Sequence, residues 1–206
     1  MTQPEGAQPG SPAADQRRAG RPRNRRDEII RAALDVFAER GFRGTSLAAV
    51  AARVGLSQQG LLHYFPTKDA LLAEVLLLHD SLDLGRALAG PAGAASPQHL
   101  ADLVAFEATR PGIAQSFMVL AAESLTDDHP ARAYFVKRYA DLRAEAAVAL
   151  RAEPGTRLAS GLAADQAAAL LIAVIDGLRL QWLLAPDEVD LAALFGAFVT
   201  LVDPAP

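Results

Sequence analysis

Three features of the chain predict an all-α fold. Ala and Leu dominate its 206 residues and β-branched side chains are sparse, a mix that favours helix over strand. No stretch alternates strictly between apolar and polar residues, as a half-buried strand does. Apolar residues instead recur at helical intervals: Leu47, Val50, Ala51 and Val54 stand at i, i+3, i+4 and i+7 and share one face. Hydrophobic residues make up 51% of the chain, enough for a sizeable core.

Residues 1–22 are rich in Gly, Pro, Gln and Ala, show no apolar period and read as a disordered tail. Arg17, Arg18, Arg21, Arg23, Arg25 and Arg26 follow one another without an intervening acid. Such an arm suits a DNA groove or its phosphates; before Pro22, a solubilising tail is the plainer alternative. Helix 1 is expected from about Asn24 to Arg40, with Ile29, Ile30, Ala33, Leu34, Phe37 and Ala38 on its apolar face. Asp27 and Glu28 are placed in its first turn, where the helix dipole favours acids, and Gly41 ends it.

The next stretch, Thr45 to Lys68, reads as two short helices and a tight turn. Helix 2 starts at Thr45 or Ser46 and ends at Gly55, a residue able to take the left-handed conformation that closes a helix. Ser57 caps helix 3, and Leu56 and Leu61 are spaced as a hydrophobic staple across that cap. Helix 3 carries Gln58, Gln59, His63 and Tyr64, polar tips with few charges. A helix-turn-helix lays just such a short helix into the major groove of DNA. Phe65-Pro66 closes it, because a residue before proline avoids the helical region, and Thr67 caps a fourth helix running to about Leu84.

Gly85–Pro97 reads as a loop or a frayed helix end. Further helices are expected at about Gln98–Thr109, Ile113–Leu125, Pro130–Arg151 and Ala163–Leu184, and a last one after Pro186, which makes about nine.

Charge is divided unevenly. Residues 1–65 carry ten Arg and six acids, a balance of +4, whereas the remainder carries −8. Only the front is therefore suited to a polyanion. The chain has no Cys, hence no disulfide framework and no thiolate metal site. No apolar signal-peptide core opens it, and no uninterrupted apolar run reaches the ~20 residues of a membrane span. The expected setting is the cytoplasm, without a membrane partner. Four scattered His and no phosphate-cradling glycine loop leave no convergent catalytic set, so neither an enzyme nor a cofactor is expected. Asp127-Asp128-His129 precedes Pro130 and reads as a loop before a helix rather than a metal site.

The segment GFRGTSLAAVAARVGLSQQGLLHYFPTKDALL resembles the DNA-binding domain of the tetracycline-repressor (TetR) family. Its landmarks are Phe37 and Gly41, Thr45, Val54-Gly55, and Tyr64-Phe65-Pro66 followed by Lys68. The ending VIDGLRLQWLLAPDEVDL is similar to the last two helices of regulators of the choline-responsive BetI type. The resemblance implies a helix-turn-helix domain over residues 23–68 and a helical regulatory and dimerisation domain over 69–203. It implies a dimeric repressor, released from a palindromic operator by a small-molecule effector. A ligand-independent or activating regulator is the alternative, and an all-helical interaction protein a more distant one.

On that reading, Arg25, Thr45, Ser46, His63, Tyr64 and Lys68 contact phosphates, and Gln58 and Gln59 read bases, since Gln pairs bidentately with adenine. Ser57 is a cap that also reaches DNA, and Gly60 permits close approach. Many relatives have an aromatic where this chain has Leu62, which is assigned to packing. The plainer alternatives are a solvated surface for the glutamines and a buried Tyr64. His79, Phe106, Phe117, Met118, Tyr134, Gln181 and Trp182 are candidates to line an effector pocket, with plain core as the alternative. Asp176 and Arg179 are expected as an inter-helix ion pair. Leu170, Ile172, Val174, Leu178, Leu191, Leu194, Phe198 and Val199 are candidates for the dimer interface, half of them alternatively facing their own core.

Overall fold

The computed structural model describes residues 22–82, 104–150 and 161–202. Residues 1–21 of the expected tail, the Gly85–Pro97 loop and the start of the helix expected at Gln98 lie outside them, and Pro22 is the first residue of a helix. Helix α1 spans Pro22–Arg40, α2 Leu47–Arg53, α3 Gln58–Leu62 and α4 Lys68–Leu82. Residues 104–108 are helical and are termed α5. Then come α6 at Pro111–Glu123, α7 at Arg132–Ala149, α8 at Ala164–Leu184 and α9 at Leu191–Val202. No strand occurs among the described residues.

Local chemistry sets the first four boundaries. Gly41 and Gly55 take φ of +69° and +67°, ending α1 and closing the turn after α2. Ser46, Ser57 and Thr67 each accept a backbone N–H from three residues on, at 3.2, 3.1 and 3.0 Å. Each of these caps satisfies a donor that the first helical turn leaves open. Helix 2 therefore starts at Leu47, with Ser46 and not Thr45 as cap. The α1 expectation needs correcting: the helix opens at Pro22, so Asp27 and Glu28 lie beyond its first turn. Glu28 is paired with Arg25 instead, at 2.7 Å.

Two apolar clusters hold the molecule together. The first joins α1–α4 to the middle helices: Ile29, Phe37, Val50, Leu61, Phe65 and Leu71 pack with Phe117, Leu120 and Phe135. Full burial of such side chains contributes about 1.5–3 kcal/mol each. The core thus runs across residue 68, and α1 packs against both α4 and α6. The second cluster joins Val104, Ala114, Ala146 and Ala147 to Leu171, Ile175 and Trp182 of α8 and to Leu191, Phe195 and Val199 of α9. Helix α8 is long and apolar enough to cross a membrane by length and composition alone. Here one face of it packs in this core, and that face carries the buried Arg179.

Candidate nucleic-acid interface and regulatory core

Helices α2 and α3 pack on each other, and each sends a fully buried side chain, Val50 and Leu61, into the first apolar cluster. That fixes α3 by its inner side and leaves Gln58, Gln59 and His63 exposed. Among the described residues no side-chain hydrogen bond engages these three, and Ser46 and Ser57 stand exposed at their caps. Tyr64 is half-buried, its ring packed against the first apolar cluster. Leu62 is half-buried. At Gly60 an added Cβ would stand 3.3 Å from the Ser57 hydroxyl, so glycine keeps that cap uncrowded.

Several neighbouring basic and hydroxyl side chains are engaged within the chain, and for Thr45 this corrects the expectation that it faces DNA. Thr45 is only 3% exposed, and its hydroxyl donates to the Gly41 carbonyl at 2.6 Å. It braces the α1–α2 turn and does not face outward. The Lys68 ammonium donates to the Phe42 and Thr45 carbonyls, each at 2.8 Å, and lies 4.2 Å from the Phe42 ring centroid. Two of its three N–H groups are thus engaged within the chain. Arg25 donates to the Val54 carbonyl at 2.7 Å and pairs with Glu28. Arg26 pairs with Glu74 of α4, which holds the Glu74 carboxyl below its ordinary value. Arg53 binds both oxygens of Glu39.

The middle helices enclose a polar group inside an apolar wall. Arg179, buried on α8, pairs with Asp176 one turn earlier at 2.8 Å and with Glu107 at 2.5 Å. The Asp176–Arg179 pair is therefore within one helix, and Glu107 is an inter-helix partner of Arg179. Tyr139 donates to Asp176 at 2.8 Å; burial, with this carboxylate beside it, pushes the phenol upward. Arg138 pairs with Asp80 at 2.6 Å, and Tyr134 donates to the same carboxylate at 2.7 Å. Both guanidinium groups lie within 6 Å of the Phe117 ring, at 5.4 and 5.6 Å. A cavity of about 20 Å³, roughly one water's room, lies among Phe117, Arg138, Tyr139, Ile172, Asp176 and Arg179.

Of the seven residues expected to line a pocket, only Phe117 borders this cavity. His79 is buried beside it, with Nε2 2.8 Å from the Ser116 hydroxyl and its ring edge-on to Phe117. Burial, aided by Arg138, lowers its pKa to about 4, so the ring is neutral. Met118 packs against the first cluster and Trp182 within the second. Tyr134 points to Asp80, Phe106 is exposed under Arg110, and Gln181 bonds back to Gly177 of its own helix. Periodicity did not reveal Arg138 and Tyr139, nor that Arg179, expected as an ion-pair partner, borders the cavity, because charged and phenolic groups look like surface residues until their partners on other helices are known. Asp127 and Asp128 turn to Arg132 and Arg43.

Helix α8 has two apolar seams. Ala168, Leu171, Ile175 and Trp182 face inward, whereas Leu170, Ala173, Leu180 and Leu184 are exposed along the other side. On α9 Leu194, Ala197 and Leu201 continue the exposed side. Leu170 and Leu194 thus lie on an open face, and Val174, Leu178 and Phe198 are half-buried. Ile172, Leu191 and Val199 are buried in the chain's own core, which removes them from any interface. Leu180, Leu184 and Leu201 also belong to the open face, which the sequence does not single out, since a helix apolar all round gives no phase.

A capped two-helix head with an exposed polar helix, set on a helical body with a buried polar centre, defines a helix-turn-helix DNA-binding regulator. Residues 29–75 match the bacterial regulatory proteins of the tetR family, and residues 94–202 match the C-terminal part of BetI-type transcriptional repressors. The chain belongs to the TetR family, with a BetI-type C-terminal domain. It is 34% identical over 179 residues to the regulator BetI of Paraburkholderia phymatum, covering 82% of this chain and 86% of that one. It is 50% identical to the regulator RutR of Escherichia coli strain K12 over 48 residues, a match spanning only 23% of each chain. A transcriptional regulator from Rhodococcus sp. Rha1 has the same fold, with a TM-score of 0.66 and 25% identity over 88% of this chain and 99% of that one.

Proposed function

We propose that this transcriptional regulator acts as a homodimeric repressor that grips a palindromic operator with two copies of α3 and lets go when a small molecule enters its helical body. The observation that carries the reading is the outer face of α3. Gln58, Gln59 and His63 stand exposed there while the cations around them are tied inward. Gln58 and Gln59 meet base edges, and Ser46, His63 and the Tyr64 phenol meet phosphates. The third N–H of Lys68 and the remaining donors of Arg25 add phosphate contacts. The open apolar faces of α8 and α9, including Leu170, Leu194, Leu180 and Leu184, pair across a two-fold axis into a four-helix arrangement. The effector binds where Phe117, Tyr139, Asp176 and Arg179 meet, by parting α6, α7 and α8. It must favour the DNA-incompetent state, because equal affinity for both states shifts nothing. The working place of such a regulator is the cytoplasm.

The double variant Leu180→Glu, Leu184→Glu tests the pairing. Light scattering is expected to give the mass of one chain, with helical content retained and operator binding lost. A dimer that persists with full operator affinity would overturn the proposed face.

A further inference from the structure

We infer that Glu123, at the end of α6 and outside the DNA-binding domain, is a positioning residue for operator binding. Its carboxylate accepts the Phe42 backbone N–H at 2.5 Å and the Arg43 N–H at 3.4 Å. These successive donors follow Gly41, whose φ is +69°, and such a run of N–H groups after a left-handed residue forms a concavity for an anion. Gly41 is fitted to this arrangement: a Cβ there would collide with the Glu123 carboxylate. The site is closed by His129, buried, its ring edge-on to Phe42 at 5.1 Å and its Nε2 3.9 Å from Glu123. Arg43 binds Thr126 and Asp128 at 3.0 and 2.6 Å on the rim.

The turn is thus held by its two kinds of backbone group from two directions. Its N–H groups go to the Glu123 anion on α6, and its carbonyls at Phe42 and Thr45 go to the Lys68 cation on α4. Ser46, which caps α2, follows immediately, so the turn sets where α2 begins and hence where α3 lies. Glu123 touches neither α2 nor α3 among the described contacts and acts through the turn. Phe117, on the wall of the inner cavity, is on the same helix.

The full chain with Glu123→Ala or Glu123→Gln is titrated with a duplex enriched from random DNA by the wild type and with a scrambled duplex of equal length. Glu123→Ala is expected to weaken the enriched duplex by about tenfold or more, the scale of a lost charge-assisted hydrogen bond. Binding of the scrambled duplex does not fall and the salt slope is unchanged, because Glu123 neutralises no phosphate. Glu123→Gln, which keeps an acceptor oxygen, recovers part of the loss. Hydrogen exchange at Phe42 and Arg43 accelerates in Glu123→Ala. Equal losses on both duplexes would mark a general loss of folded protein and overturn the inference, as would undiminished preference for the enriched duplex. Should Glu123→Ala not fold, Glu123→Gln decides alone: its preference between the duplexes must fall, and an unchanged ratio overturns the inference.

Discussion

Lys68 straps the α1–α2 turn: its ammonium lies 4.2 Å from the Phe42 ring centroid and donates to the Phe42 carbonyl at 2.8 Å. A second donation reaches Thr45 at the same distance. Hydrogen bonds to a charged group contribute about 1.5–3 kcal/mol. Lys68→Met keeps most of the stem and removes the ammonium. It is expected to lower the unfolding free energy by about 1.5–3 kcal/mol in urea and to weaken operator binding. Stability equal to that of the wild type would show that the strap contributes nothing.

Ser57 opens the five-residue helix α3 with a single hydroxyl cap. Ser57→Ala should cost about 1 kcal/mol, measured by urea unfolding without DNA, and Ser57→Asp should restore most of it. Gly60→Ala crowds the same hydroxyl and is expected to destabilise in the same direction, despite the better helix propensity of Ala. A gain in stability from Gly60→Ala would mean that the cap relaxes freely around the added methyl.

Acid sensitivity follows from His79. Its folded pKa is lowered to about 4 from the usual 6.5, first by burial and then by Arg138. Between these values the unfolded chain binds a proton that the folded chain refuses, so stability falls as pH drops below about 6.5. The full contribution, reached near pH 4, is on the order of 3 kcal/mol. His129 is also lowered by burial and adds in the same direction. His79→Gln, able to bond Ser116 without titrating, should flatten the acid limb of a plot of stability against pH. An identical slope in the variant would remove His79 as its source.

The sequence exposed the features whose causes are local. Gly41, Gly55, Ser46, Ser57 and Thr67 act within a few residues, so the frame of α1–α4 was legible nearly to the residue. The inward turn of Lys68 and Arg25 was not, because their carbonyl partners lie 23–29 residues away. Both look like free surface cations until the turn is folded. For the same reason Glu123 gave no sign of its role, being 81 residues from Phe42. On α8 and α9 the density of apolar residues hid the phase: Ile172 and Leu170 are two positions apart, yet one is core and the other open surface.

The central claim, that α3 reads base edges as one of a two-fold pair, is tested most directly by selecting bound DNA from a random pool. The selection is run with the wild type and with the double variant Gln58→Ala, Gln59→Ala. The wild type is expected to enrich an inverted repeat whose half-sites lie about 10 bp apart, or a multiple of that. The variant, with unchanged stability, should lose preference at symmetrically placed positions, about 1–3 kcal/mol for each bidentate contact removed. Enrichment of a single asymmetric site, or an identical motif from both proteins, would contradict the account.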